Sequence, residues 1–286
     1  MERKQAFIKE SRINDGLLPL SFVGRMTEND DYQKFTDDMR RELNLDIDWN
    51  LKVNDAFSFF RDRLSNNGIS VFKNGVVATN NKRILSVDEF RAFVLVDKYA
   101  PLIFINGNDD ITAQLFSLCH ETAHIWLGIP ELLNTYGNES IANKQKIERL
   151  CNRVASELLI PRSNIKNLFN DDYSLNSIIN VARKLKVSSQ AVLIALKQND
   201  FLTTQQFDEL YLKVLSQSEI PDRNMQRKSG GDYYRTALKR LDNNFITLVN
   251  NKAASGDILY MQAFNLLNVK SGTTYDKIIK KTEQVF

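Results

Sequence analysis

Both histidines of this 286-residue chain lie in one pentapeptide, His120-Glu121-Thr122-Ala123-His124. Two imidazoles four residues apart project from the same face of an α-helix, one turn from each other, where both can reach one ion. Glu121 beside them is placed to take a proton from a metal-bound water. Two histidines scattered at random would fall in this arrangement, with Glu next in the chain, in roughly three cases in ten thousand. The neighbours agree with a helix, because Leu118, Cys119, Ile125 and Trp126 supply an apolar surface uninterrupted by charge. Asp109-Asp110 offer an N-cap and early negative charge, and Gly128 with Pro130 beyond it marks the end.

Composition narrows the metal chemistry. Two Cys in the whole chain exclude a disulfide framework and a Cys-rich zinc module. A catalytic zinc takes a third protein ligand and keeps a fourth position for water. With histidine exhausted, that ligand is a carboxylate or a cysteine. A metzincin continuation needs Gly at 127 and His at 130, where Leu127 and Pro130 stand. The next helix, about 141–160 and stopped by Pro161, offers Glu148 and Glu157. Its apolar stripe is Ile147, Leu150, Val154 and Leu158. Glu148 borders that stripe with Asn152 one turn on, so helical phase favours Glu148 and leaves Glu157 open. Cys119 and Cys151 read most simply as buried reduced thiols.

Around this centre the pattern is α+β. Tyr32, Phe35, Met39 and Leu43, then Phe57, Phe60 and Leu64, predict two opening amphipathic helices. Asn74-Gly75, flanked by Ile69, Val71 and Val76-Val77, predicts a tight hairpin. With Phe93–Val96 and Leu102–Ile105 it completes an expected small, mostly antiparallel sheet. Beyond Pro161 the texture is helical. Ile178, Ala182, Leu185, Lys186-Val187-Ser188, Ala191, Val192 and Leu196 carry the rhythm of a helix-turn-helix. Phe264, Leu267, Asn268 and Val269 repeat part of that spacing loosely. Residues 216–231, with Pro221 and Gly230-Gly231, are the linker candidate. A charged start and the absence of any run of about 18 apolar residues predict a cytoplasmic protein without a membrane span.

HETAH, followed by the helix reading IERLCNRVASELLIP, resembles the zinc metallopeptidases of the ImmA/IrrE family. The likeness extends to the Gly68-Ile69 strand, the Arg91-Ala92-Phe93 segment, the Ala100-Pro101 strand, the helix-turn-helix and Gly230-Gly231-Asp232-Tyr233-Tyr234. Gln114 and Ala92 depart from the family's frequent Arg and Gly, away from the ligands. The resemblance implies a zincin-like peptidase core over 1–170, a helix-turn-helix-like region over 171–216, and a linker with a helical C-terminal domain over 217–286. It implies Zn2+ held by His120, His124 and Glu148, with Glu121 as catalytic base. It also implies a protein substrate, a separately encoded helix-turn-helix repressor whose cleavage derepresses stress, defence or mobile-element genes. Residues 1–31 are too short for the DNA-binding domain with which many relatives begin.

Nucleic-acid binding through the C-terminal half has two candidate surfaces. The recognition helix expected at Ser189–Lys197 holds one basic residue, Lys197, and is poorly equipped for phosphate contacts. Residues 223–240 are richer, with Arg223, Arg227, Lys228, Arg235, Lys239 and Arg240 around Tyr233-Tyr234. Net charge is only +3, too small to argue such a partner for the whole molecule. The competing functional reading is a regulatory or antitoxin-like binding protein whose zinc site is structural or vestigial.

Overall fold

The computed structural model describes residues 1–129, 141–218 and 233–284, with the side chains of 217–218 and 233–236 excepted. Pro130, Pro221, Arg223, Arg227, Lys228 and Gly230-Gly231-Asp232 lie outside the described residues, as do the side chains of Tyr233, Tyr234 and Arg235. The order is α1 (Glu2–Asn14), α2 (Tyr32–Leu43), a 3-10 turn (Trp49–Leu51), α3 (Ala56–Asn66), β1 (Ser70–Asn74), β2 (Val76–Val77), β3 (Asn80–Ile84), β4 (Ala92–Leu95) and β5 (Leu102–Asn106). Helices follow: α4 (Ile111–Leu127), α5 (Ile141–Leu159), α6 (Arg162–Phe169), α7 (Leu175–Leu185), α8 (Ser189–Gln198), α9 (Thr204–Ser218), α10 (Tyr233–Arg240), α11 (Asn243–Ala254), α12 (Tyr260–Leu267) and α13 (Gly272–Glu283).

The main sheet is mixed rather than mostly antiparallel. β5 lies at its centre, parallel to β1 and antiparallel to β4, with Val71 opposite Ile103 and Val94 opposite Ile103 on the other side. The expected Asn74-Gly75 hairpin does not form, because β1 pairs with β5 and not with β2. Gly107 N donates to Asn74 O at 2.9 Å, carrying the parallel pairing past the end of β1. The tight turn comes one step later, between β2 and β3, where Ala78 takes φ 53°. Burying β1 beside β5 removes its apolar face from water, which a solvated hairpin would leave exposed.

The sheet separates two apolar cores. Val71, Val94, Ile103 and Ile105 face one that contains α2 through α9 and the HETAH helix. Phe72, Leu102 and Phe104 face the other, with Ile8 of α1 and Phe245, Ile246 and Ile278 of the C-terminal helices. β5 is therefore buried at all five positions, which explains its unbroken Leu-Ile-Phe-Ile run. α1 precedes the two helices expected to open the chain. Its buried face includes Lys4 and Ser11 beside Ile8, so no apolar stripe announces it.

Two helix ends fix the position of the centre. α4 begins at Asp110, whose carboxylate accepts from Thr112 N, and ends at Gly128 in the left-handed region. Its last carbonyls are taken by the N-terminal segment, with Gly24 N donating to Ile125 O at 3.1 Å and Met26 N to Trp126 O at 3.0 Å. α5 stops before Pro161, and its final carbonyls also receive side chains from far upstream. Arg40 Nη2 donates to Glu157 O at 2.6 Å, Trp49 Nε1 to Leu158 O at 3.2 Å and Asn50 Nδ2 to Leu159 O at 2.9 Å. Asn50 Nδ2 also reaches Leu185 O, at 2.9 Å, at the end of α7. These donors satisfy groups that a buried helix terminus would otherwise leave without partners.

α7 and α8 are joined by Lys186-Val187-Ser188, with Lys186 at φ 60° and Ser188 capping α8. Val187 N donates to Ala182 O at 3.0 Å, and Val269 N donates to Phe264 O at 2.9 Å after Asn268 at φ 55°. The loose sequence echo near the end is therefore one shared helix stop, a left-handed residue followed by an apolar one. Among the described residues no helix is long and apolar enough to cross a membrane.

Candidate metal centre

His120 and His124 lie in the third and fourth turns of α4, and Glu148 comes from α5, which packs along it. The capped start at Asp110 and the apolar stripe through Leu115, Leu118, Ala123 and Trp126 hold α4 rigidly in the first core. His124 has no exposed surface, and His120 and Glu148 keep 12% and 28% of their side chains open, so the group has one wet side.

The three side chains converge. His120 Nε2 is 3.2 Å from His124 Nε2 and 3.3 Å from Glu148 Oε2, and His124 Nε2 is 3.6 Å from Glu148 Oε1. Donor atoms arranged tetrahedrally about 2.0–2.1 Å from a zinc ion stand about 3.3–3.4 Å apart. The observed separations bracket that edge.

Each ring is oriented by its far nitrogen. His120 Nδ1 lies 3.1 Å from Asn152 Oδ1 and His124 Nδ1 lies 3.2 Å from Ile129 O. Both oxygens accept, so both Nδ1 atoms carry the proton and both Nε2 lone pairs turn inward. Two lone pairs and a carboxylate then meet with no proton between the rings, an arrangement suited to a cation. Glu148 Oε1 is buried without a hydrogen-bond donor among the described residues. Burial first, and then the neighbouring His120, push the His124 imidazole down to about 4, so it is neutral and able to bind metal near pH 7. The contact with His120 holds the Glu148 carboxyl below its usual range against the opposing effect of burial.

All three expected ligands are thus within reach of one ion, and His120, His124 and Glu148 form the metal-capable cluster among the described residues. Glu121 directly follows His120, 3% exposed, on the buried side of α4. Glu157 is elsewhere employed. Its carboxylate accepts from Arg162 N at 3.1 and 3.3 Å, closing the start of α6, and burial raises its pKa. Cys119 and Cys151 are both buried, as the sequence suggested. Gln114 donates to Asp109 O at 2.7 Å inside the start of α4, away from the cluster.

Asn152, which the sequence places one turn after Glu148, orients His120 and not that carboxylate. One contributor escaped sequence reasoning. The Ile129 carbonyl that orients His124 is a main-chain group and carries no side-chain signal.

Residues 66–197 match the family model for Peptidase_M78, the IrrE N-terminal-like domain. Residues 241–281 match a domain of unknown function, DUF8813. No curated protein matches the chain.

Proposed function

This chain belongs to the ImmA/IrrE family through residues 66–197, and we propose that it is a site-specific zinc endopeptidase acting on a helix-turn-helix repressor. The observation that carries the reading is the convergence of His120 Nε2, His124 Nε2 and a Glu148 oxygen within 4.8 Å of one another. In this reading those three residues hold Zn2+, and the 1–170, 171–216 and 217–286 divisions serve as catalytic, helix-turn-helix-like and C-terminal units. When bound, zinc supplies a Lewis acid that activates water near neutral pH and polarises the scissile carbonyl.

The rest of the chemistry belongs to the chain. Glu121 accepts the proton of the attacking water and returns it to the leaving amine, a role that its place beside His120 on α4 supports. Asn152 and the Ile129 carbonyl fix the ring planes, so that neither imidazole swings away between turnovers. Since the chain holds no third histidine, oxyanion stabilisation falls to another side chain or to backbone amides.

The test is co-expression with any helix-turn-helix regulator found encoded beside the gene. A discrete cut that disappears in Glu121→Gln, with bound zinc retained, supports the reading. A cut that survives Glu121→Gln sinks the mechanism. Stoichiometric zinc with no cut of any neighbouring regulator turns the balance to the non-proteolytic, antitoxin-like role.

A further inference from the structure

A cleft of about 1210 Å³ lies between α4, α5 and the α7–α9 helices, and it adjoins the candidate metal cluster at Asn152, the partner of His120. Its floor continues two helical stripes that begin at the cluster. On α5 the stripe Glu148, Asn152, Ser156 advances by four residues, and the last two line the cleft. On α4, His120 is followed toward the N-terminus by Ser117, Phe116 and Ala113, all cleft residues. Asn152 belongs to both places, since it lines the cleft and hydrogen-bonds His120.

The opposite wall is α8, at the position of a recognition helix. Gln190, Ala191, Ile194 and Gln198 turn toward α4 and α5, and Ile194 is 41% exposed. None of these four carries positive charge. The nearest cation on the helix, Lys197, donates to Thr204 Oγ1 at 2.7 Å. A helix that reads a DNA groove presents such a face outward with Arg, Lys, Asn or Gln aimed at base edges. Here that face encloses a space wider than the roughly 300–1,000 Å³ of small-molecule pockets.

The charge in the cleft is lopsided. Asp109 is paired with Arg91 at 3.1 Å, and Asp110 caps α4. Near the metal end, Arg149 bonds among the described residues only the Gln145 carbonyl, and Arg153 only neutral Tyr32, Gln198 and Asn199. Neither guanidinium meets a carboxylate among the described residues.

We propose that this cleft seats the substrate segment beside the scissile bond, and that the segment is an acidic, apolar polypeptide. A carboxylate of the segment pairs with Arg149 and Arg153, and an apolar side chain packs on Phe116, Ala191 and Ile194. The recognition-helix face of α8 then selects a protein substrate instead of reading DNA. The assignment rests on the proposed peptidase reading, and peptide binding separates the two.

The test uses the full chain carrying Glu121→Gln, so that nothing is consumed, with fluorescence anisotropy of a labelled amphipathic Leu/Glu peptide, its Leu/Lys counterpart and a duplex DNA. The Leu/Glu peptide binds, the Leu/Lys peptide does not, and Ile194→Glu and Arg149→Glu each weaken binding about tenfold or more. Both sites are on the surface, and unchanged zinc content and thermal midpoint establish that the variants fold. Leu/Glu binding that survives Ile194→Glu, or no Leu/Glu binding at all, overturns the proposal. Duplex binding that Ile194→Glu abolishes, without peptide binding, overturns it in favour of nucleic acid. Peptide binding intact in protein that takes up no zinc sinks the peptidase reading and leaves the cleft assignment standing.

Discussion

Asn152 Oδ1 accepts the Nδ1 proton of His120 across 3.1 Å, from one turn beyond Glu148 on the same helix. α5 thus delivers both a metal-capable carboxylate and the group that aims one of the rings. Removing such an orienting partner typically lowers metal affinity about 10–100-fold. Asn152→Ala is expected to weaken zinc binding by that order, read by competition with a chromophoric chelator. Because Asn152 is exposed, the thermal midpoint of metal-free protein stays unchanged. Zinc affinity unaffected by the substitution would remove Asn152 from the site.

Glu148 and Glu157 share a helix and divide its tasks. Glu148→Gln is expected to abolish stoichiometric zinc with little loss of fold. Glu157→Ala is expected to keep zinc and lose about 1 kcal/mol of stability, the usual cost of removing a helix-start acceptor, since Arg162 N loses its partner. Metal analysis and urea unfolding of both variants check the division. Zinc lost from Glu157→Ala would reverse the assignment.

Acid is expected to destabilise the metal-free protein. His124 titrates near 6.5 when unfolded and is pushed down to about 4 when folded, so between these values the unfolded chain binds the extra proton. Its contribution is full above about 6.5 and is lost as pH falls toward about 4. The depressed Glu148 carboxyl adds loss in the same direction below its ordinary 4.5. The urea midpoint of chelator-treated protein falls from pH 7 to pH 5, and His124→Gln flattens that fall. A midpoint that rises on acidification contradicts the buried neutral ring.

Asn50 ties α5 to α7 through two carbonyls, Leu159 O and Leu185 O, each at 2.9 Å. Each buried carbonyl left without a donor costs about 1–3 kcal/mol. Asn50→Ala therefore lowers unfolding free energy by about 2–6 kcal/mol while zinc stoichiometry holds. A loss under about 1 kcal/mol means that water replaces the amide.

Gly128 and Gly16 share φ +71°, but a Cβ at Gly128 would stand 2.9 Å from Gly24 Cα, whereas none at Gly16 would meet anything within 4 Å. Gly16→Ala is expected to cost about 1–2 kcal/mol, the left-handed strain alone. Gly128→Ala costs more, because Gly24 must move and its bond to Ile125 O moves with it. Thermal or urea unfolding of the pair isolates the contact, and equal losses would dismiss it.

The legible parts of the site were local. A histidine pair at helical spacing, an Asp cap before it and a glycine after it are read from neighbouring residues, and α4 runs from Ile111 to Leu127 as those signals require. Strands β4 and β5 were likewise legible as apolar runs. The hairpin expectation failed because turn chemistry at Asn74-Gly75 competes with a distant partner. Pairing β1 with β5 buries both faces, and no local pattern encodes that gain. α1 escaped because its buried face contains Lys4, whose Nζ reaches Leu266 O from the C-terminal helices.

The chain by itself determined which atoms could bind a metal: with two histidines, both in one helix, any further ligand had to come from another side chain. Helical periodicity could rank Glu148 over Glu157 but not separate them, since phase says which side of α5 a residue occupies and not what packs there. Only the tertiary structure did that, by laying α5 along α4 so that Glu148 meets both imidazoles while Glu157 closes α6. It also turned the exposed face of α8 inward over a cleft. Both outcomes depend on contacts between segments tens of residues apart, set by the shape of a shared core and not by the spacing within any one helix.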